Sequence, residues 1–223
     1  MIKSVFPSSL KGLALLYGSL ILLCLFSILF LDRNVAELMH QQPYGRQILK
    51  WFSYTPILLE FTAGLVIAAC MSQTFRQKYL TLAIELLLTI TLAFVTRLAT
   101  KYLFGRTWPE SWIEMPSGGH NPSWIADGIE AFHPFAEGLS YNSFPSGHAL
   151  FTFALALTFW RHLPRFWLIW FSLLIGALAG QLGMNYHYLG DLIAGASFGL
   201  LVSHGAKHIA AKLSKLSPKA RLN

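Results

Sequence analysis

The sequence predicts an all-α, polytopic membrane protein in which six transmembrane helices form a bundle. First, 54% of the 223 residues are apolar and only 12% are charged, which is unusual for a soluble domain. Second, several apolar runs reach the roughly 20 residues that a helix needs to cross the hydrocarbon core of a bilayer. Third, short polar turns separate most of these runs. Because no repeat or linker divides the chain, residues 1–223 are interpreted as one domain.

The first half of the chain contains three predicted spans. The first, 12–31, is too long for a signal-peptide core and no small-residue cleavage site follows it, so we expect it to be retained. The segment 34–52 is amphipathic and predicts a helix lying at the membrane interface. The second and third spans cover 56–71 and 79–104.

A long polar loop, 105–142, separates the third span from the fourth. It is rich in Gly, Pro, Trp and acidic residues and shows no apolar periodicity. Loops of this length inside a compact domain are usually functional. The remaining predicted spans are 146–160, 166–182 and 188–209, and a basic tail follows them.

The distribution of charge predicts the orientation. With both termini in the cytoplasm, the inner segments hold eleven basic residues and no acidic one. These are Lys3, Lys11, Arg76, Lys78, Arg161, Arg165, Lys207, Lys212, Lys215, Lys219 and Arg221. This is the asymmetry of the positive-inside rule, and it predicts a multi-pass protein of a bacterial inner membrane. The net charge of +7 is therefore a topology signal and does not indicate nucleic-acid binding.

Three polar clusters lie at the ends of predicted spans. The segment 101–109 ends the third span, 144–149 opens the fourth, and 186–191 opens the sixth. In the predicted topology all three emerge on the same, periplasmic face. Because ionisable residues at membrane depth are costly and usually functional, this convergence predicts an active site at the outer face.

Two of these clusters contain groups suited to proton and anion chemistry. His187 and Asp191 are four residues apart, so on a helix the carboxylate can orient the imidazole. Pro145, Ser146 and Gly147 precede an apolar helical run, and Asn142 or Ser143 is available as its cap. The start of a helix presents free N–H groups and a partial positive charge, which favours an anion.

Together the clusters suit attack on phosphorus. Lys101 and Arg106, with the N–H groups of Ser146 and Gly147, are the candidate phosphate-binding groups. His148 is the candidate acid for the leaving oxygen. The clusters have no metal-ligand character beyond two histidines, so neither a metal nor a cofactor is expected. Glu60 and Glu85 lie inside spans, where a structural salt bridge is the favoured role.

The same residues resemble a known family. The segment 101–109, Pro145-Ser-Gly-His148 and His187-x-x-x-Asp191 are similar to the three motifs of the type 2 phosphatidic acid phosphatase superfamily, which also includes the vanadium haloperoxidases. The resemblance implies a phosphohistidine on His187, oriented by Asp191, with His148 as general acid. It also implies that Lys101, Ser146 and Gly147 bind phosphate.

Two positions depart from the family pattern. Trp108 stands where the first motif has arginine, and Gln181 stands where the third motif has arginine. A glutamine cannot replace the charge and bidentate geometry of arginine. Arg106, from a shifted loop, or Arg97, one turn before Lys101, is a possible substitute.

The function expected from the resemblance is hydrolysis of a phosphate monoester or diphosphate on a lipid. Two alternatives stay open: a phosphotransferase of the same fold, and a non-catalytic lipid-phosphate binder or transporter. The intact histidines and Asp191 favour catalysis, because binding alone has no use for a histidine–carboxylate couple. The sequence does not discriminate among undecaprenyl diphosphate, phosphatidic acid, phosphatidylglycerol phosphate and lipid A.

Overall fold

A computed structural model describes residues 9–42, 45–113 and 119–216, and the regular structure in these ranges is helical. The helices are α1 (Leu10–Phe26), α2 (Asp32–Gln41), α3 (Arg46–Ser53), α4 (Thr55–Ala69), α5 (Gln73–Phe104), α6 (Trp124–Asp127), α7 (Gly147–His162), α8 (Trp167–Gly183) and α9 (Leu189–Leu216). Lys3, Lys219 and Arg221, which entered the orientation count, lie outside the described residues.

Within the described ranges, five helical stretches are long and apolar enough to cross a membrane. They are Leu10–Gln41, Arg46–Ala69, Gln73–Phe104, Pro164–Gly183 and Leu189–Lys215. The fourth predicted span, 146–160, corresponds to α7, a shorter helix of 16 residues at the centre of the bundle. The prediction of an all-α, polytopic membrane protein is confirmed.

The boundaries differ from the sequence expectations at the polar segments. Residues 34–52 do not form one interface helix: α2 continues the first span, and α3 leads into α4. The turn before α5 is also shorter than expected, because the polar residues 73–78 are already helical. Polar residues at a helix end extend that helix beyond the apolar run, and hydropathy alone does not detect such an extension.

Helix α7 forms the centre of the core and packs against α4, α5, α8 and α9. It packs closely against α9 at Gly195, where an added Cβ would lie 2.4 Å from the carbonyl oxygen of Ser146. Small residues of this kind allow two membrane helices to pack backbone to backbone. The contact holds the start of α7 against the first turns of α9, and these two segments carry two of the three motifs.

A polar network joins α5, α7 and α9 at the opposite end of the bundle. Glu85 accepts a hydrogen bond from Arg161 Nε at 3.0 Å and contacts Nε2 of His162 at 2.7 Å. Arg161 also donates to the hydroxyl of Ser203 at 2.7 Å. The salt bridge expected for Glu85 is therefore present, and it lies far from the motif residues.

Two local signals place the motifs at the other end. Gly105 ends α5 with a φ of +50°, and a Cβ there would lie 2.0 Å from the carbonyl oxygen of His133, so only glycine fits. Ser146 caps α7, where its hydroxyl accepts from the N–H of Ala149 at 3.3 Å. The cap is thus Ser146 rather than Asn142 or Ser143.

The described part of the long loop folds back onto this end. Arg106 N donates to the carbonyl of Tyr141 at 2.7 Å, which joins the start of the loop to its end. Trp112 Nε1 donates to the carbonyl of Asn185 at 3.1 Å, and the hydroxyl of Tyr188 donates to the carbonyl of Trp108 at 3.0 Å. These contacts fix the loop against residues 184–188, just before α9.

Candidate active site

The three motif clusters meet around one cavity of about 410 Å³. It lies between α4, α5, α7 and α8, with the first part of the long loop beside it. Its polar lining includes Glu60, Arg97, Lys101, His148, Gln181 and His187. The convergence that the sequence predicted is therefore present in the structure.

Two histidines face each other in this cavity. The ring centroids of His148 and His187 are 6.2 Å apart. His187 lies in the turn before α9, and its Nδ1 is 3.5 Å from Oδ2 of Asp191. This arrangement leaves Nε2 of His187 as the nitrogen available to the cavity. The ring of Trp108 packs on that of His187 with a centroid separation of 5.2 Å, which restricts the imidazole further.

The environment of His187 favours its neutral form. Burial lowers the pKa of the imidazole below its ordinary value, and the Lys101 ammonium acts in the same direction. Asp191 opposes this effect, but the pKa of His187 remains lowered. A neutral imidazole with an oriented Nδ1 is the form that can act as a nucleophile.

Asp191 is held rigidly within the first turn of α9. Its Oδ2 accepts hydrogen bonds from the hydroxyl of Ser143 at 2.5 Å and from the N–H of Tyr188 at 3.1 Å. Its Oδ1 accepts from Nη1 of Arg106 at 2.6 Å. Because each oxygen has strong donors, the carboxylate has one orientation, and that orientation fixes the side of His187 that it contacts.

Arg106 lies behind Asp191 and does not line the cavity. Its guanidinium is fully buried and contacts three carboxylates, those of Asp191, Asp32 and Glu130. Burial alone would lower the pKa of Arg106, but these carboxylates raise it above its ordinary value. Arg106 was expected to bind phosphate, but its N–H groups donate to Asp191, the carboxylate that lies beside His187.

The cations that do line the cavity both come from α5. Lys101 Nζ donates to the carbonyl of Asn142 and lies 5.7 Å from the ring centroid of Trp108. Arg97, one turn earlier, crosses the start of α7: a Cβ added to Gly147 would lie 3.0 Å from Arg97 Nε. Gly147 therefore allows the arginine to lie against the N-terminus of α7.

Ser146 and Gly147 have different positions relative to the cavity. Ser146 is fully buried, its hydroxyl caps α7, and its N–H donates to the carbonyl of Asp191 at 3.0 Å. The N–H that was expected to bind phosphate thus joins α7 to α9 instead. Gly147 lines the cavity, so the first turn of α7 and the cations Lys101 and Arg97 border the same space.

Comparison with known proteins gives the family. The sequence profile of the PAP2 superfamily matches residues 82–215, more than half of the chain. The protein belongs to the PAP2 superfamily. No curated protein sequence matches the chain.

The fold of this PAP2 protein is also found in a solved structure. It is the crystal structure described as the first transmembrane PAP2 type phosphatidylglycerolphosphate phosphatase from Bacillus subtilis. The TM-score is 0.55, and the match covers 87% of this chain and 96% of that chain. With 16% sequence identity, the likeness demonstrates a common fold.

The two departures from the PAP2 pattern have different structural outcomes. Trp108 presents its ring to His187, and its Nε1 donates to the carbonyl of Leu139 at 2.8 Å. Gln181 lines the cavity and donates through Nε2 to the carbonyl of Ser53 at 3.2 Å. Neither supplies positive charge, so Arg97 is the arginine that the structure brings to the cavity.

Sequence reasoning missed one residue that supports the site. Asp32, at the start of α2, directly follows the first predicted span, 12–31, yet it is buried and contacts Arg106. A carboxylate directly after an apolar run is a usual membrane-boundary residue, so the local sequence does not reveal its distant partner. Glu60 lines the cavity together with Arg97, and among the described residues it forms no ion pair, so the salt bridge favoured for it from the sequence is not found.

Proposed function

We propose that this protein is an integral membrane phosphatase that hydrolyses a phosphate monoester or diphosphate from a lipid through a phosphohistidine at His187. This proposal rests on the pair His148 and His187, which face each other across a cavity that is also lined by Lys101 and Arg97. The pair provides a nucleophile and a proton donor, and the two cations provide charge for the phosphoryl oxygens. PAP2 membership supports this assignment.

In the first step the Nε2 of His187 attacks phosphorus. A P–N bond forms while the P–O bond to the leaving group breaks. His148 donates a proton to the departing oxygen, which leaves as an alcohol or as a lipid monophosphate. Asp191 stabilises the positive charge that develops on His187, because its carboxylate lies beside Nδ1. Lys101, Arg97 and the first turn of α7 hold the remaining phosphoryl oxygens.

In the second step water replaces His187 on phosphorus. His148, now neutral, takes a proton from the water as its oxygen attacks. The P–N bond breaks, inorganic phosphate leaves, and His187 returns to its neutral form. The same histidine thus acts as acid in one half-reaction and as base in the other.

A lipid is the proposed substrate because the cavity lies among membrane-spanning helices. It has apolar lining from Ile57 and Phe151 as well as the polar groups described above. The charge asymmetry of the sequence supports a periplasmic cavity in a bacterial inner membrane, with both described ends of the chain directed to the cytoplasm.

The test is phosphate release by the purified protein in detergent from a panel of lipid phosphates. Labelled substrate is also quenched in acid and in base during turnover. A phosphohistidine is acid-labile and base-stable, so label should stay on the protein only after the basic quench. The label should disappear in His187→Ala. Turnover by His187→Ala would overturn the covalent mechanism, and a lack of phosphate release by the wild type from every lipid would overturn the phosphatase assignment.

An acceptor titration separates hydrolysis from phosphotransfer. With added lipid alcohol or lipid monophosphate, a phosphotransferase should place label on the acceptor, whereas a phosphatase should release inorganic phosphate at an unchanged rate. A binder should retain labelled lipid without consuming it.

A further inference from the structure

We propose that Asp32 is a positioning residue of the catalytic machinery, which acts on His187 through Arg106 and Asp191. The inference rests on the proposed function for its kinetic consequences. Asp32 lies on the N-terminal helical stretch, outside residues 82–215 to which the family profile matches. None of its hydrogen-bond partners lines the cavity, so any effect of Asp32 on His187 must pass through other groups.

Each oxygen of Asp32 has a defined partner. Oδ1 accepts from the hydroxyl of Ser27 at 2.7 Å and from the N–H of Gly190 at 2.8 Å. Oδ2 accepts from Nη2 of Arg106 at 2.7 Å. A single carboxylate therefore holds both the backbone directly before Asp191 and the arginine that binds the Asp191 side chain.

The helix geometry around Asp32 is arranged for these contacts. Residues Ser27–Leu31 form a π-helical turn, and the N–H of Asp32 donates to the carbonyl of Ser27. A π turn adds one residue to a helix, and such turns are found frequently at functional sites. In a regular α-helix the residues after this point would be rotated by about 100°. The carboxylate would then point away from Arg106.

The packing around the carboxylate leaves little freedom. Asp32 is 1% exposed, and a Cβ added to Gly190 would lie 2.8 Å from Oδ2. The guanidinium of Arg106 lies over the ring of Tyr188, with Cζ 4.1 Å from the ring centroid. Asp32, Arg106 and the first residues of α9 thus form one rigid unit.

The charges of this unit determine how Asp32 affects His187. Arg106 carries one positive charge and contacts three carboxylates, of which Asp191 alone contacts the imidazole. Without the negative charge of Asp32, the charge of Arg106 is less well balanced. This less balanced positive charge makes a positive imidazole less favourable, so the pKa of His187 and its basicity fall.

The test is Asp32→Asn, which keeps an oxygen for Gly190 and removes the charge. We expect kcat to fall by roughly tenfold, as when a residue that holds an active-site group in its orientation is lost, with little change in KM. In parallel, carbethoxylation of His187 by diethyl pyrocarbonate is measured against pH by mass spectrometry. Its midpoint should move to lower pH, on the order of one unit. This second measurement needs no substrate, so it reports on Asp32 even if the phosphatase assignment fails.

The matched control is Glu37→Gln, the same chemical change on an exposed carboxylate of the same helix. It should leave both kcat and the His187 midpoint unchanged. A midpoint in Asp32→Asn equal to that of the wild type, in protein of normal melting temperature, would overturn the proposal and leave Asp32 as a structural residue. A shifted midpoint in a protein that releases no lipid phosphate would support the positioning role and refute the phosphatase.

Discussion

Arg106 and Asp191 form an ion pair that solvent does not reach, with Nη1 2.6 Å from Oδ1 and both side chains fully buried. The pair joins the segment directly after α5 to the first turn of α9. Buried pairs of this kind add little net stability, but removal of one partner leaves an uncompensated charge. Arg106 therefore affects the site from behind, and its loss has a different signature from the loss of a phosphate ligand.

Arg106→Ala should impair folding as well as activity. Its removal leaves the buried carboxylates of Asp32 and Asp191 without their main donor, at a cost on the order of 3–5 kcal/mol. The melting temperature in detergent should drop markedly, and the folded fraction should show reduced kcat with little change in KM. Arg106→Lys should recover only part of the melting temperature and part of kcat, because a single ammonium cannot contact the carboxylates as a guanidinium does. A stable Arg106→Ala protein with a raised KM would instead indicate direct phosphate binding.

Arg97→Gln, unlike Arg106→Ala, should lower activity without lowering the melting temperature. Arg97 lines the cavity and is exposed, so the melting temperature should stay near that of the wild type. Loss of an arginine that stabilises the transition state should lower kcat/KM by on the order of 10²-fold. Arg97→Lys should retain part of the activity. The matched control is Arg76→Gln, which changes an exposed arginine at the other end of the same helix. It should leave both kcat/KM and the melting temperature unchanged.

The different positions of Arg97 and Arg106 show where sequence reasoning succeeds and where it fails. The lengths of the apolar runs predicted the helices, and alternation of the spans predicted that Lys101, His148 and His187 would meet. Those inferences depend only on local composition and on counting membrane crossings. They place a residue at one end of the bundle, but they do not give the direction of its side chain.

The direction of Arg106 depends on contacts that are distant in sequence. Its partners Asp191, Asp32 and Glu130 lie 85, 74 and 24 positions away. Gly105 turns the chain at the end of α5, and the loop then closes through the Tyr141 carbonyl. None of these contacts has a periodic signature, so a cation near a phosphate motif was interpreted as a phosphate ligand.

The pH dependence should show an acidic limb below the ordinary histidine pKa of about 6.5. In the proposed mechanism His187 must be neutral to attack, and burial lowers its pKa, so the neutral form persists as the pH falls through that value. Activity is lost only when the pH reaches the lowered pKa. Because Lys101 also lowers this pKa, Lys101→Met should move the limb to higher pH. Measuring kcat against pH for both proteins with one substrate removes the effect of substrate ionisation from the comparison. If the acidic limb of kcat lies at the same pH in Lys101→Met as in the wild type, a group other than His187 controls it.

Cysteine labelling tests the orientation. In a background without Cys24 and Cys70, His120→Cys in the long loop should react with an impermeant thiol reagent in intact cells. Gln77→Cys, at the start of α5 on the opposite side, should react only after the membrane is opened. Both positions are exposed, so the difference between them reports sidedness and not burial. The reverse pattern would place the cavity in the cytoplasm and exclude a periplasmic substrate.

His148→Ala separates protonation of the leaving group from nucleophilic attack. His148 faces His187 across the cavity, and the proposed mechanism uses it to protonate the oxygen that leaves. A lipid alkoxide is a poor leaving group and needs that proton, so turnover of the lipid substrate should stall. An aryl phosphate leaves as a stabilised phenolate and needs little protonation, so the variant should still form the phosphoenzyme from it. Its hydrolysis should then be slow, because the same imidazole activates water, and base-stable label should accumulate on His187. His187→Ala is the control and should form no phosphoenzyme from either substrate. Equal losses with both substrates, without accumulated label, would show that His148 binds phosphate and does not transfer a proton.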